Sequence, residues 1–580
     1  MLTKLTIKNF KRFDEVEVVL GKSVVLIGPN NSGKTTALQA LALWELGLRR
    51  WTEKRTGKST ALQRQGVAIN RRDLVALPVP VANLLWRDLH VRNIDRQDGT
   101  PKTQNIRVDI LVEGITDDQV WSCGLEFDYA NEESFYCRPL RLEEGKQPER
   151  MPIPEPATQA RVALLPPMSG LTDREFIKQP GEIGVLIGQG QTAQVLRNLC
   201  YRVCWSDDKA GKPSGDWIAL TAQLSRLFGV KLLNPKFVAE RSEIVMEYEE
   251  KSGTRLDISS SGRGLQQTLL ILAHLYANPR TVLLLDEPDA HLEVLRQRQT
   301  YQLINDLAEE KGSQIVAASH SEVVLTEAAN RGTVVAFVGR PHLLNDRGSQ
   351  VMKALTDLGW DQYYQAEQTG WVLYVEDSTD LAILKTFARI LEHPAQALLD
   401  MPFVHYVATN LPQKSRDHFN GLREAKSDLV GIALFDHLDR ALQPNENLNE
   451  VMWVKREIEN YFCTREVLTA WAVHDVADDL FGVAERVTRQ KAMEKAIGEV
   501  THLLEIDEKS PWSPDVKATD EVLDRVFRVF FKEIGLPLSF RKRDYHLLAG
   551  FLSKLQIDPE VIEKLDAIAA VAARAKPVGM

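Results

Sequence analysis

The chain has 580 residues, 44% of them hydrophobic, and a formal net charge of −9. A chain of this length buries a core without disulfide or metal staples and has room for about four domain-sized units. The acidic balance argues against wholesale binding of polyanions, yet a local basic channel stays open, because steering depends on where the charge sits.

Lys4, Lys8, Lys11 and Arg12 interrupt the N-terminal stretch, which therefore does not read as a signal peptide. No run is long and apolar enough to span a bilayer, so the expected location is the cytoplasm, with no membrane partner. Cys123, Cys137, Cys200, Cys204 and Cys463 are scattered. Cys200 and Cys204 sit one helical turn apart with no second pair to complete a zinc site, and they read as core thiols.

In chain order, Leu2 to Phe10 alternates as a strand does, and Val16 to Leu20 is a second short strand. Val24 to Ile27 is a β-branched run that reads as buried. Gly28-Pro29-Asn30-Asn31-Ser32-Gly33-Lys34-Thr35 follows. It fits the phosphate-loop pattern Gly-x-x-x-x-Gly-Lys-Ser/Thr, and Thr36 to Leu46 continues it as a helix. Backbone N–H groups and the helix N-terminus of such a loop wrap phosphates. Lys34 adds a point charge on the β and γ phosphates, the Thr35 hydroxyl is a magnesium ligand, and Asn30, Asn31, Ser32, Gly33 and Thr36 complete the nucleotide-binding set.

Arg49, Arg50, Trp51, Lys54, Arg55, Lys58, Arg64, Arg71 and Arg72 then form a basic stretch with one aromatic. Two readings stand level: a surface for phosphate backbones or a solvated face. Residues 80–160 read as β-rich, with a loop at Arg141 to Thr158, a strand at Arg161 to Leu165 and a helix at Thr192 to Trp205. Gln189, Gln191 and Gln194 are candidates for a glutamine that senses the γ phosphate.

Ser259-Ser260-Ser261-Gly262-Arg263-Gly264 opens an apolar helix, Leu269 to Tyr276. Val282 to Leu285 is an apolar strand ending in Asp286-Glu287, which places two carboxylates at the edge where open α/β sheets bind ligands. Asp286 is expected to hold magnesium through water, and Glu287 to orient or deprotonate the attacking water. Asp289-Ala290-His291-Leu292 follows. Gln314 to Ala318 is a further strand, and Ser319-His320-Ser321 follows it.

After a polar stretch at 346–368, read as a linker, Trp371 to Val375 is an apolar strand ending in Glu376-Asp377-Ser378-Thr379-Asp380. Leu429 to Phe435 ends in Asp436-His437-Leu438-Asp439, and Val451 to Val454 leads into Arg456-Glu457-Ile458-Glu459-Asn460-Tyr461. Three strand ends delivering carboxylates to one edge suit magnesium or manganese. Residues 471–580 read as helices, with a basic cluster Arg541-Lys542-Arg543 before one of them.

Two resemblances rest on these residues. Residues 1–345, with a less certain insert at about 48–250, resemble the ATP-binding-cassette heads of the chromosome-maintenance group. Ser261, Gly262 and Gly264 look like a degenerate signature loop, Asp289 to Leu292 like the dimer-facing loop, and His320 like the switch histidine. Such heads sandwich ATP between two subunits, which implies a homodimer or higher oligomer. Residues 369–470 resemble a Toprim domain. Glu376 and Asp380 match its Glu-Gly-x-x-Asp motif, with Asp377 at the glycine. Asp436 and Asp439 stand where Asp-x-Asp is usual, and Asp436 is the favoured ligand. Arg456 to Tyr461 looks like the motif of overcoming-lysogenization-defect (OLD) nucleases that supplies a further acidic ligand, with Glu459 favoured over Glu457. A lysine near 542 assists cleavage in that family, so Lys542 takes either that role or one of positioning the phosphate backbone.

An ATPase head followed by Toprim in one chain resembles the OLD family, relatives of the Gabija nuclease subunit and of retron-associated effectors. The resemblance implies an α/β fold of two parts with a helical C-terminal region. It also implies an ATP-binding, magnesium- or manganese-dependent DNA endonuclease or nickase in anti-phage defence, with a possible defence partner protein. Glu287, His320, Glu376, Asp380, Asp436 and Lys542 are its expected catalytic residues. A competing reading is an ATP-hydrolysing sensor or scaffold whose Toprim domain no longer cuts. A strand-passage enzyme has less support, since no tyrosine nucleophile domain is evident.

Overall fold

The computed structural model divides the chain into two compact units, Met1–Gly348 and Ser349–Met580. It describes the chain apart from residues 56–65, 75–76, 78, 98–99, 144–148, 169, 189–190, 207–210, 345–358, 478 and 578–580. Lys58, Arg64 and Gln189 thus lie outside the described residues.

The first unit holds two six-stranded sheets. Its first elements are β1 (Leu2–Phe10), β2 (Phe13–Val19), β3 (Ser23–Ile27), the long helix α1 (Lys34–Arg55) and β4 (Val67–Asn70). Then come β5 (Arg107–Thr116), β6 (Gln119–Asn131), β7 (Ser134–Pro139) and β8 (Val162–Leu165). The antiparallel sheet runs β2-β1-β5-β6-β7-β4. Strand β5 alternates along its length, burying Val108, Ile110 and Val112 on one face, the pattern of a half-covered antiparallel sheet.

Helix α1 covers that face. Trp44 donates its indole N–H to the Cys123 carbonyl at 2.9 Å and stacks on Trp121 with 6.0 Å between centroids. It is fully buried, so Trp44→Ala is expected to cost about 3–5 kcal/mol of stability. A lowered thermal midpoint of the first unit would register this, and an unchanged midpoint would deny Trp44 that role.

The second sheet adds β9 (Val282–Asp286), β10 (Gln314–Ala318), β11 (Thr333–Ala336) and β12 (His342–Leu343). Its order is β8-β9-β10-β3-β11-β12, and all but β12 are parallel. Strands covered on both faces need unbroken apolar runs, and Val24–Ile27, Val282–Leu285 and Ile315–Ala318 supply them. Because the strands are parallel, the chain leaves β3, β9 and β10 on one edge. That is why the phosphate loop, Glu287 and His320 emerge together.

The helices after β8 are α2 (Pro180–Gly188), α3 (Leu196–Cys204), α4 (Gly215–Phe228), α5 (Arg263–Ala277), α6 (Val294–Glu310) and α7 (Glu322–Arg331). Helix α5 is buried on every side from Gly264 to Tyr276, including the polar Gln266, Gln267, Thr268 and His274.

Some expectations need correction. The loop expected at Arg141 to Thr158 contains a bridge between Arg141 and Arg150 and a short helical turn at Glu155–Thr158. The helix expected from Thr192 is a 3-10 turn followed by α3. All five cysteines are buried and unpaired by disulfides. Three cations of the basic stretch are neutralised. Arg49 pairs with Glu45, Arg50 with Asp73 and Arg71 with Glu133, while Trp51 is only 7% exposed and packs inward. An aromatic in the core offers no base-stacking face.

The second unit begins with α8 (Trp360–Thr369), β13 (Trp371–Val375) and α9 (Ser378–Leu391). It continues through β14 (Val404–Tyr406), α10 (Pro412–Ala425), β15 (Val430–Phe435) and β16 (Leu448–Met452). Its sheet runs β14-β13-β15-β16, all parallel. The expected linker 346–368 is therefore corrected in its second half. Tyr363 and Ala366 of α8 are buried, and Glu367 faces Lys426 at 3.4 Å.

The last helices are α11 (Arg465–Ala472), α12 (Leu480–Ile506), α13 (Asp524–Glu533) and α14 (Pro559–Ala573). Their apolar residues, from Trp471 through Phe527 to Leu565, share one continuous core with Leu373, Val375, Ile432 and Leu434 of the sheet. Residues 471–580 are thus part of the same body as the strands. Among the described residues no helix is long and apolar enough to cross a membrane.

Candidate nucleotide site and carboxylate cluster

The loop after β3 needs its glycines. Gly28 has φ +153°, and a Cβ there would meet the Phe337 carbonyl at 2.6 Å. Gly33 has φ +105°, and a Cβ would meet the Phe13 ring at 2.5 Å. Side chains rarely tolerate such φ values. Lys34 is buried and donates to the carbonyls of Gly28 at 2.7 Å and Pro29 at 2.9 Å. Burial lowers its pKa to about 8, against the pull of Glu287 and Asp286. The Ser32 hydroxyl is buried with no hydrogen-bond partner. Asn30, Asn31 and Thr35 are exposed, and Thr36 is half-buried at the start of α1.

Thr35 donates its hydroxyl to Asp286 Oδ1 at 3.0 Å. Burial raises the Asp286 carboxyl, with Thr35 opposing and Glu287 adding to the rise. Glu287 sits at φ +48°, held by its N–H to the Ala318 carbonyl at 2.9 Å. His320 Nε2 lies 3.5 Å from Glu287 Oε1. Burial first, then Lys34, pushes the His320 pKa down, while a hydrogen bond involving the Gly28 backbone opposes this. The orphaned Ser32 hydroxyl, the lysine folded onto its own loop and the Thr35–Asp286 pair fit a nucleotide triphosphate with magnesium. A phosphate oxygen would satisfy the hydroxyl and draw Lys34 off the carbonyls, and Thr35 and Asp286 would face the cation.

Ser261, Gly262 and Gly264 stand apart from that loop. Ser261 donates its hydroxyl to the Ile258 carbonyl at 2.7 Å, and Gln266 donates its amide to the Ser261 carbonyl at 2.9 Å. A Cβ at Gly264 would meet the His291 carbonyl at 2.8 Å, so the signature-like turn and the loop after β9 are packed backbone to backbone. Gly262 faces open space. Gln191 caps and Gln194 ends the 3-10 turn before α3, and neither makes a hydrogen bond to the phosphate loop. Arg12, which sequence reasoning passed over, has its side chain against Gly33. The turn Lys11-Arg12 between β1 and β2 was the signal that pointed there.

In the second unit Glu376 follows β13, Asp380 lies in the first turn of α9, and Asp436 follows β15. Asp380 Oδ2 accepts from the Glu376 N–H at 2.9 Å, and Asp436 Oδ1 accepts from the Ile458 N–H at 3.2 Å. Burial, then Asp377 and Glu376, raises Asp380 to about 7. Burial, then Asp380, Glu457 and Glu376, raises Asp436 to about 8. Glu459 is pushed well above the carboxylate range by burial and by Glu457, Asp380 and Asp436. These carboxyls feel one another, and their hard oxygens are the donors a divalent ion takes. Among the described residues, however, no group of three His, Cys, Asp or Glu side chains is arranged to hold a metal ion.

Asp439 departs from expectation. Its side chain is 88% exposed and lies 4.0 Å from Arg456, because the extra residue in Asp-x-x-Asp carries it outward. Asp377 is absorbed without strain. Its backbone is extended at φ −147°, and its carboxylate caps α9 by accepting from the Thr379 N–H at 2.6 Å. Glu457, the less favoured glutamate, accepts from the Thr519 N–H and lies in the fields of Lys517 and Lys542. Lys542 stands 3.3 Å and Lys517 2.6 Å from Asp520. Lys517 also feels Glu457 and Asp436. Sequence reasoning missed Lys517, since a lone lysine in a polar turn carries no local signal.

One consequence is measurable. The folded, metal-free unit holds protons on Asp380 and Asp436 that an unfolded chain releases above about pH 4. The native state binds more protons, so stability falls as pH rises from about 4 through 8. Magnesium added at pH 8 is expected to raise the thermal midpoint of the second unit. A midpoint flat over this range and indifferent to magnesium would count against the cluster.

Two family models match within the first unit. Residues 1–45 match a family model described as "AAA ATPase domain", and residues 212–326 match "AAA domain, putative AbiEii toxin, Type IV TA system". The cobalamin import ATP-binding protein BtuD of Halobacterium salinarum is 38% identical over 86 residues, which is 15% of this chain. The chain spans about a fifth (21%) of the length of that relative. The SMC head domain from Thermotoga maritima is 15% identical, with 59% of this chain and 98% of that chain covered and a TM-score of 0.30. The Smc head of Pyrococcus furiosus bound to the C-terminal domain of ScpA is 13% identical, with 61% and 99% covered and a TM-score of 0.35. Neither family model extends past residue 326. With the loop geometry above, the matches support ATP binding by the first unit, whose matched segments are similar to AAA ATPase domains.

Proposed function

We propose that the protein is an ATP-binding, divalent-metal-dependent DNA endonuclease or nickase of the OLD type, acting in anti-phage defence as a homodimer or larger assembly. The observation that carries this reading is the convergence of Glu376, Asp380, Asp436 and Glu459 in mutual repulsion at one end of a parallel sheet. Buried carboxyls that raise one another's pKa cost stability, and a bound cation offsets that cost. The toxin named by the family model matched over residues 212–326 is in keeping with a defence role.

In the head, Lys34 and the loop amides would hold the triphosphate, with magnesium on Thr35 and Asp286. Glu287 would orient the attacking water and His320 sense the γ phosphate. Ser261, half-buried, and Gly262, exposed, would complete the site of a second copy. In the second unit the four carboxylates would hold one or two divalent ions, which polarise a phosphodiester and lower the pKa of water when bound. Lys517 and Lys542, both tethered by Asp520, would face the scissile phosphate and stabilise developing charge.

A second reading is favoured by one observation, the lack of a gathered three-residue metal set among the described residues. On it the protein is an ATP-driven sensor or scaffold that controls a partner effector. Purified protein incubated with supercoiled plasmid and linear phage DNA, in magnesium or manganese, with and without ATP, separates the two. Metal-dependent nicking is expected. Intact DNA under every condition, with ATP turnover retained, would establish the scaffold.

A further inference from the structure

We propose that a cavity of about 430 Å3 in the first unit, at the sheet edge opposite the phosphate loop, is a binding site for a small organic anion with an apolar body. Arg161 and Thr281, which precede β8 and β9, line it and fix that edge. Its volume falls in the range of small-molecule pockets.

The polar lining is richer in cations than in acids, with Arg49, Arg50 and Arg161 against Glu45 and Asp73. His274 on α5 is 4% exposed, and its Nε2 has no hydrogen-bond partner. Its Nδ1 lies 3.4 Å from the Asn278 amide nitrogen, which can only donate. The ring proton is therefore assigned to Nε2. Burial, then Arg202, pushes the His274 pKa down to about 4, so the ring is a neutral N–H donor at pH 7. Arg161 is exposed and makes no ion pair among the described residues. The two acids of the lining are already engaged, Glu45 by Arg49 at 3.2 Å and Asp73 by Arg50 at 3.0 Å. With both acids spent on Arg49 and Arg50, the exposed Arg161 is left over and calls for a negatively charged guest.

The remaining walls are apolar. Leu46 of α1, Leu77, Val162 of β8 and Ile187 of α2 would cover a hydrocarbon or aromatic body. On α2, Gly181 and Gly184 line the cavity one turn apart, and a Cβ at either would meet nothing within 4 Å. Glycine inside a helix costs helix stability, and here it leaves room.

The test uses 1-anilinonaphthalene-8-sulfonate as a fluorescent probe on the full chain, with octanoate as competitor. Saturable binding displaced by octanoate is expected. Gly184→Leu fills the space and should weaken probe affinity by at least about tenfold, a shift of about 1.4 kcal/mol. Arg161→Ala removes the rim charge without touching the core and should weaken it several-fold while leaving the thermal midpoint unchanged. Wild-type affinity in folded Gly184→Leu, fluorescence that octanoate does not displace, or an Arg161→Ala chain that binds as wild type would each overturn the proposal.

Discussion

Replacing Glu376 with Ala is expected to abolish metal-dependent DNA cleavage while nucleotide binding by the head persists. Glu376 follows β13, beside Asp380 and Asp436, and it raises the pKa of both. Loss of a residue that merely supports a metal ligand typically costs 10- to 100-fold, so loss of a ligand should exceed about 10²-fold. Asp436→Ala should do the same, whereas Asp439→Ala, with its side chain 88% exposed, should cut nearly as wild type. Plasmid nicking rates for the three variants decide the matter. Equal loss in Asp439→Ala would mean that the turn after β15 rearranges on binding metal. Full activity in Glu376→Ala would remove the carboxylate cluster from the chemistry altogether.

Glu287→Gln is expected to slow ATP turnover by about 10²–10⁴-fold, the usual contribution of a positioned general base. ATP binding should be kept, because Lys34, Thr35 and Asp286 are untouched. The Glu287 carboxylate is 3.5 Å from His320 and is reached through a left-handed backbone at φ +48°. A backbone held that way off its preferred region has surrounding structure that fixes it. Phosphate release and equilibrium binding of a fluorescent ATP analogue, measured side by side, separate the two properties. Unchanged turnover would place the general base elsewhere, and lost binding would make Glu287 a structural residue of the loop.

What could be read before folding was known follows the range of the forces involved. The phosphate loop is local: its glycines, lysine and flanking strand lie within a dozen residues, and their spacing alone dictates the turn. Strand ends bearing acids are nearly as local, because an apolar run followed by a carboxylate marks an edge. What escaped notice depends on distant packing. Trp51 counts as a surface aromatic by its basic neighbours, yet it is buried in the core. Helix α8 is polar enough to pass for a linker, and only Lys426, some sixty residues later, gives buried Glu367 a counter-charge. Asp436 is favoured over Asp439 from the sequence, but only the turn after β15 shows how far outward Asp439 is carried. Lys517 reaches the acidic cluster from a turn that nothing nearby distinguishes. The cavity beside His274 is built from four separate elements, and no stretch of sequence announces it.

The shared core of the second unit bears on how the protein comes into being. Residues Val561, Leu565, Ile568 and Val571 of α14 pack into the core of β13 and β15, strands made well over a hundred residues earlier. Contacts so far apart along the chain close slowly, and these cannot close until α14 has emerged from the ribosome. The head can mature during synthesis as a unit of its own. The carboxylate edge cannot, because its strands lack their cover until translation is nearly over. A nascent chain, or one broken off before residue 559, therefore has no assembled carboxylate edge, and whatever chemistry that edge performs waits for the finished chain.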